Sequence, residues 1–226
     1  MFFPELIASI RPSDKVLEIG PGATPHPRAN EFLEYKFDDN QTAISQRGSI
    51  ISPPDFGGRS ITFYNGKKFP YPDKHFDYVI ASHVIEHVPD PREFLQEIFR
   101  ISGGRGYIEF PLPTYDYLYD FDVHLNFVWR ENESLFFLKK NNTNIKQYST
   151  ITSEFRRGFE SGWDDLVRNN LNHFFLGFEF IECFDALEVT DLEKFKRVWN
   201  TEGNSIERRT VRRVESLFNF KSSKKT

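Results

Sequence analysis

Cysteine is nearly absent: Cys183 is the only one among 226 residues. A lone cysteine excludes an internal disulfide framework and a cysteine zinc cluster. It fits a reducing, cytoplasmic setting and reads as a small core hydrophobe in a strand. Long apolar runs are missing as well, and none approaches the ~20 residues that span a bilayer as a helix. The opening MFFPELIASI is too short for a secretory leader and lacks its basic start. Neither sign of charge dominates: 29 Lys and Arg against 33 Asp and Glu give a net charge of -4. No general polyanion-binding surface is implied, which counts against nucleic acid as a partner. There is no internal repeat.

What is plentiful is aromatic, 16% of the chain with 25 Phe. A chain of this length buries one substantial core. A single domain over residues 1–226 is expected, with its core over 12–140 and 175–200 and a substrate-covering segment over 112–172. Residues 201–226 are read as a basic C-terminal helix or tail, most simply a solvated face. Leu6, Ile7 and Ile10 suggest a short amphipathic helix closed by Pro12. Residues 16–19, 32–35, 60–64, 76–81 and 107–110 read as strands, with a polar loop between the second and third. Asp90 as N-cap, Pro91 at the first helical position and Glu93 three after the cap mark a helix start. Phe94, Leu95, Ile98 and Ile101 follow at helical spacing, and residues 102–106 stop it. LNFVWR, ENE and SLFFLKK then suggest a hairpin, with a helix over 131–140 as the alternative. Residues 141–160 are poorly patterned, 161–171 read as a helix and 178–184 as a strand. Thr190 and Glu193 open a second capping-box helix.

Strands alternating with helices predict a parallel sheet with covered faces, and ligands of such sheets sit beyond the carboxyl ends of the strands. Residues 18–22, Glu34, Asn65, 81–83 and 109–113 are therefore expected along one rim. The first crossover is unusual. In VLEIGPGATPHPRANEFLEYK, only residues 23–33 separate Gly22 from Glu34, and a helical crossover usually needs a dozen or more. Pro21, Pro25 and Pro27 remove donors and disfavour helix before them. The middle is read as an irregular loop with at most one helical turn. It is a poor cradle for a dinucleotide phosphate, and better suited to a ligand with a ribose and no phosphate.

Together, VLEIGPG, FPYPDKHFDYVIASHVIEHVPDPREFLQEIFR and GYIEFP resemble the class I S-adenosylmethionine-dependent methyltransferases over residues 14–140. The resemblance implies an α/β fold with a Rossmann-like, mostly parallel sheet and helices on both faces. The first crossover helix would be shortened or missing, and an extra substrate-side segment would follow the fifth strand. It also implies S-adenosylmethionine as cofactor. Glu18 would help receive the methionine part, and Gly20, Pro21 and Gly22 would let the backbone approach it. Glu34 would take the ribose hydroxyls, with Asp38 and Asp39 as nearby rivals. Asn65 and Gly66 would meet adenine, where the family usually has Asp, and Ser82 and His83 would line the cofactor near its methyl group. The turn departs from the fuller pattern at Ala23-Thr24. Glu86 and His87 belong to an EHV signature that also reads as a structural cap. The closest branch, with PHPRA and GYIE-P followed by aromatics and a histidine, is similar to enzymes that modify glycans and other small hydroxyl-bearing molecules.

An aliphatic hydroxyl needs a base to accept its proton, and histidine titrates near working pH. His124 and His83 are the candidates, His124 slightly ahead with Asp122 to orient it, and Glu109 and Asp116 follow. Asp116, Asp120, Asp122 and His124 match no metal signature, so no metal is assigned. Tyr115, Tyr117, Tyr119, Phe121 and Trp129 suit a sugar ring or an aromatic acceptor, or else form a covering layer. The expected function is O-methylation of a small molecule, a sugar or glycan foremost. The alternatives are N- or C-methylation of another metabolite, protein or RNA, and an inactive cofactor-binding scaffold. The expected partner is a small-molecule or saccharide acceptor. A start so close to the first strand also leaves room for a covalent neighbour domain such as a glycosyltransferase.

Overall fold

Six strands build the central sheet of the computed structural model, which describes residues 1–22, 24–38, 56–66 and 68–190. β1 (Val16–Ile19) is buried at every position. It has strands on both sides and cover on both faces, so its sequence is apolar without alternation except at Glu18. β2 (Glu31–Tyr35) and β3 (Ser60–Tyr64) extend the sheet on one side, β4 (Tyr78–Ser82) and β5 (Gly106–Pro111) on the other, all parallel. β8 (Phe175–Phe180) completes that second side antiparallel to β5. The order is β3-β2-β1-β4-β5-β8, a mixed α/β arrangement with a mostly parallel sheet. Strand order reverses between β1 and β4, where a crevice opens beyond the carboxyl ends.

Between β1 and β2 no helix forms among the described residues, as the prolines predict. Polar ties hold the loop instead: Asn30 Oδ1 accepts from Val16 N–H at 2.7 Å, and Arg59 donates to the carbonyls of His26 and Ala29 at 3.0 Å. After β4 comes a single 3₁₀ turn, Ile85–His87, and then α1 (Pro91–Ser102). Asp90 Oδ1 accepts from Arg92 N–H at 2.8 Å and Glu93 N–H at 3.3 Å, a cap that stabilises by ~1 kcal/mol. Gly103, at φ 66, closes the other end. Phe94, Leu95, Ile98 and Ile101 pack on Leu17, Ile19, Val79, Ala81 and Ile108 of the sheet, each buried side chain contributing roughly 1.5–3 kcal/mol.

The same core extends to a second, three-stranded sheet. β6 (Asn126–Glu131) and β7 (Ser134–Lys139) form an antiparallel hairpin, so the helix alternative over 131–140 does not hold. β9 (Ala186–Glu188) joins β7 in parallel, and Val128, Leu135 and Phe137 bury against the α1 side of the main sheet. On the opposite face Ile7 and Ile10 cover Val16, Tyr78, Ile80 and Tyr107. They do so from an irregular segment with one 3₁₀ turn at Pro4–Leu6, not from the expected amphipathic helix. The apolar spacing was real, but Ser9 is tied by its N–H and hydroxyl to Glu179 at 3.0 and 2.8 Å, which holds the chain open.

Four more helices fill the segment after β5: α2 (Pro113–Tyr119), α3 (Ser149–Gly158), α4 (Asp164–Arg168) and α5 (Leu171–Phe174). α3 falls in the stretch read as unpatterned; Thr152 is its only buried residue, so it carries almost no apolar signature. β8 starts earlier than expected and ends at Phe180, which leaves Cys183 beyond the strand and exposed, not in the core. Met1–Glu188 form one unit. Residues from Val189 form a second, of which the expected helix after Thr190 and the basic tail lie outside the described residues. Among the described residues no helix is long and apolar enough to cross a membrane.

Candidate functional site

A cleft of about 1540 Å³ opens at the strand reversal, larger than the ~300–1,000 Å³ that one small ligand fills. Glu18, Gly20, Pro21 and Gly22 border it from the end of β1, Glu34 from β2, and Asn65 and Gly66 from beyond β3. Ser82 and His83 reach it from the end of β4 and His124 from the segment before β6. Asp38 also borders it, exposed, whereas its companion Asp39 lies outside the described residues.

The turn after β1 needs glycine. Gly20 and Gly22 have φ of 61° and 58°, the left-handed region that side chains disfavour. A Cβ on Gly20 would stand 2.8 Å from Val84 Cγ2, while nothing lies within 4 Å of one on Gly22, so backbone is open to a ligand there. Glu18 Oε2 accepts from His26 N–H at 2.7 Å. Its carboxylate anchors the proline loop with one oxygen, and burial pushes its pKa up to about 7. Glu34 is 5% exposed and accepts from Tyr35 N–H at 3.0 Å. Two carboxylates, a bare glycine turn and no helix N-terminus fit the cofactor implied by the resemblance, which carries a ribose and an amino-acid end but no phosphate.

Beneath the rim, Glu109 gathers donors from far along the chain. It accepts from Phe2 and Phe3 N–H at 2.7 and 3.0 Å, Ser82 Oγ–H at 2.9 Å, Tyr107 O–H at 2.6 Å and His83 Nε2–H at 2.9 Å. Burial works to raise its pKa, but His83 and Tyr107 bring it down to about 2. His83 Nδ1 in turn lies 3.5 Å from Glu86 Oε1. Burial disfavours its charge, yet hydrogen bonding to Glu109 and the nearness of Glu86 raise its pKa overall. Its ring is closed in by Phe2 and Phe175, and its backbone is strained at φ 57. His83 therefore sits between two carboxylates, hydrogen-bonded to Glu109 at 2.9 Å and 3.5 Å from Glu86.

His124 differs. Its Nδ1–H donates to Asp116 Oδ1 at 2.8 Å, and Asp116 is 0% exposed. The expected orienting acid, Asp122, instead pairs with Lys146 at 2.6 Å and Arg156 at 3.7 Å. Asp116 sits on α2 and the chain turns back at Asp120, φ 43, to bring His124 alongside. The ring of His87 lies edge-on to that of His124 with centroids 4.8 Å apart, and its Nδ1–H donates to Val123 O at 2.9 Å. Burial lowers the pKa of His87, against the opposing pull of Glu86. Both histidines come to the cleft beside the buried Glu86.

The aromatic segment divides. Tyr115 and Phe121 border the cleft with ring centroids 5.3 Å apart. Tyr117 stacks on Phe127, Tyr119 is buried, and Trp129 is buried with its Nε1–H on Glu131, so these three belong to the covering layer.

A family model described as a methyltransferase domain matches residues 2–193. No curated protein matches the sequence. Solved structures similar to the chain include an S-adenosylmethionine-dependent methyltransferase from Mesorhizobium loti, 14% identical, covering 79% of this chain and 96% of that one with a TM-score of 0.40. One from Thermotoga maritima is 20% identical over 48% of each chain, TM-score 0.32. A chain of the complex between the Haloferax volcanii Trm112 methyltransferase activator and a methyltransferase is 19% identical, over 45% of this chain and 46% of that one, TM-score 0.32. The chain thus spans about half the length of the Haloferax and Thermotoga chains.

Proposed function

The chain belongs to the methyltransferase-domain family, and from that premise we propose that it moves a methyl group from S-adenosylmethionine to a hydroxyl of a small molecule, a sugar or glycan foremost. When bound, S-adenosylmethionine supplies an electrophilic methyl carbon on a sulfonium centre and leaves as a neutral thioether. The backbone at Gly20 and Gly22 and the second oxygen of Glu18 hold the amino-acid end. Glu34 accepts from the ribose hydroxyls, the strong charge-assisted kind of hydrogen bond, and Asn65 accepts from the adenine amino group through its side-chain oxygen. His124 Nε2 takes the proton of the acceptor hydroxyl as that oxygen gains the methyl, and Asp116 steadies the imidazolium. Positioning and proton removal are what such a displacement asks of a protein, the second contributing typically ~10²–10⁴-fold.

The observation that carries this reading is that an imidazole backed by a buried carboxylate, His124 on Asp116, borders the same cleft as Gly20 and Glu34. Tyr115 and Phe121 beside it support a ring-shaped acceptor, since aromatic faces pack on the apolar faces of sugars. The net charge of -4 supports a small molecule over RNA, because phosphate contacts call for a basic face.

The test is release of S-adenosylhomocysteine by the purified chain across a panel of monosaccharides, glycosides and phenols, with amines and thiols alongside. Turnover confined to hydroxyl acceptors, highest with saccharides, is expected. Turnover confined to amines or thiols would overturn the reading.

A further inference from the structure

Glu86 is an anomaly: it is 0% exposed, and neither carboxylate oxygen has a hydrogen-bond partner. Buried carboxylates are almost always hydrogen-bonded, because an unpaired charge out of water is costly. Three imidazoles surround it: His83 Nδ1 lies 3.5 Å from Glu86 Oε1, and the other two each keep one ring nitrogen out of a hydrogen bond. His87 spends its Nδ1–H on Val123 O, which leaves Nε2 as an acceptor 3.7 Å from Glu86 Oε1. His124 spends its Nδ1–H on Asp116, so its Nε2 is also free. One donor atom from each of the three residues lies within 4.8 Å of the others.

We propose that Glu86, His87 and His124 bind one divalent cation of the first transition series, and that this ion faces the acceptor side of the cleft. Two imidazoles and one carboxylate suit Zn²⁺, Mn²⁺, Fe²⁺ or Co²⁺, whereas Mg²⁺ favours an all-oxygen shell. The outer contacts are those that metal-bound histidines use: one ring nitrogen donates to a carboxylate or a backbone carbonyl, fixing the tautomer and aiming the other at the ion. Asp116 does this for His124 and Val123 O for His87. Lys140, 3.6 Å from Asp116 and 2.8 Å from Asp120, balances the outer charge. Among the described residues His83 also approaches Glu86 Oε1, at 3.5 Å, and its other ring nitrogen is committed to Glu109 at 2.9 Å.

Backbone ties pin the two halves of the cluster together. Leu125 N–H donates to Glu86 O at 2.7 Å, and Asn126 Nδ2–H to Val88 O at 2.8 Å. Donors each ~2.1 Å from an ion stand no more than about 4.2 Å apart. Three donors around one ion stand closer, about 3.0–3.6 Å apart at the usual angles, so the cluster closes by roughly 1–2 Å on loading, within the reach of side-chain rotation.

Three protein donors leave positions open toward the cleft. In the methyl-transfer reading, on which this consequence rests, an acceptor hydroxyl takes one of them. A bound cation lowers the pKa of such a hydroxyl. On the loaded chain, in place of the direct transfer to His124 in the metal-free chain, the proton passes to water, the oxygen takes the methyl, and the His124 lone pair stays on the ion.

Chelator-treated, full-length protein titrated with Co²⁺ alone, without S-adenosylmethionine, separates this proposal from the methyl-transfer reading. Visible absorption bands saturating at one Co²⁺ per chain are expected, with a rise in melting temperature on loading. In Glu86→Gln and in His87→Ala the bands should shift and affinity fall ~10–100-fold or more; circular dichroism and metal-free melting verify that each variant is folded. Absence of bands at millimolar Co²⁺, unchanged binding in both folded variants, or equal saturation by Mg²⁺ would overturn the proposal, whatever the outcome of the turnover assay.

Discussion

His124 donates its Nδ1–H to Asp116 at 2.8 Å, and Asp116 lies wholly buried 3.6 Å from the Lys140 ammonium. A carboxylate in that position selects one imidazole tautomer and aims the other nitrogen. The free Nε2 belongs to the cleft that Gly20 and Glu34 also border.

Removing the imidazole should separate chemistry from cofactor binding. His124→Ala is expected to lower kcat by ~10²-fold or more and to leave S-adenosylhomocysteine affinity within about twofold, because Glu34 and Gly20 are untouched. Asp116→Asn should lower kcat less, since the ring remains but its tautomer is no longer fixed. Steady-state rates paired with titration calorimetry decide it. Undiminished turnover in His124→Ala would remove this residue from the reaction.

Glu18 carries a pH signature. Its folded pKa, about 7, lies above the ordinary value of 4.5 because of burial. The folded state holds this proton more tightly than the unfolded one, so its contribution is complete below about pH 4.5 and is lost as pH rises toward about 7. Glu18→Gln keeps an acceptor for His26 N–H and abolishes the titration. Its melting temperature, relative to the parent, should therefore rise between about pH 5 and about pH 8. A difference independent of pH would show that Glu18 does not titrate in this window.

The turn after β1 should resist a methyl group at one glycine more than at the other. Gly20→Ala meets Val84 Cγ2 at 2.8 Å and forces a side chain to φ 61, and is expected to destabilise by roughly 2–4 kcal/mol from strain and overpacking together. Gly22→Ala has open space and should pay only the conformational strain of ~1–2 kcal/mol. Denaturant melts measure both. In the Gly20→Ala background, Val84→Ala should recover part of the loss; no recovery would contradict the contact.

These residues also mark where the sequence is legible and where it is not. Asp90, Pro91 and Gly103 are local signals, and α1 begins and ends where they place it. Pro21, Pro25 and Pro27 likewise announce a crossover without a helix. The partner of His124 is not local in that sense. Asp122, two residues away, looks nearer along the chain, but the turn at Asp120 and the pull of Lys146 and Arg156 take it elsewhere. Asp116 arrives through the path of α2, which no spacing rule reports. Glu109 is still less legible, since Phe2 and Phe3 donate to it from more than 100 residues away. Glu86 and His87 stand side by side in the sequence. What reveals their chemistry is the absence of hydrogen bonds on Glu86, a three-dimensional fact.

The central claim, that the glycine turn and Glu34 form one nucleoside site, is tested most directly by calorimetric titration of S-adenosylhomocysteine into the parent chain and into Glu34→Gln. One binding event per chain is predicted, weakened by ~10-fold or more in the variant, as loss of hydrogen bonds to a charged acceptor implies, with both proteins melting alike. No binding by the parent chain, or equal affinity in the two, would contradict the account.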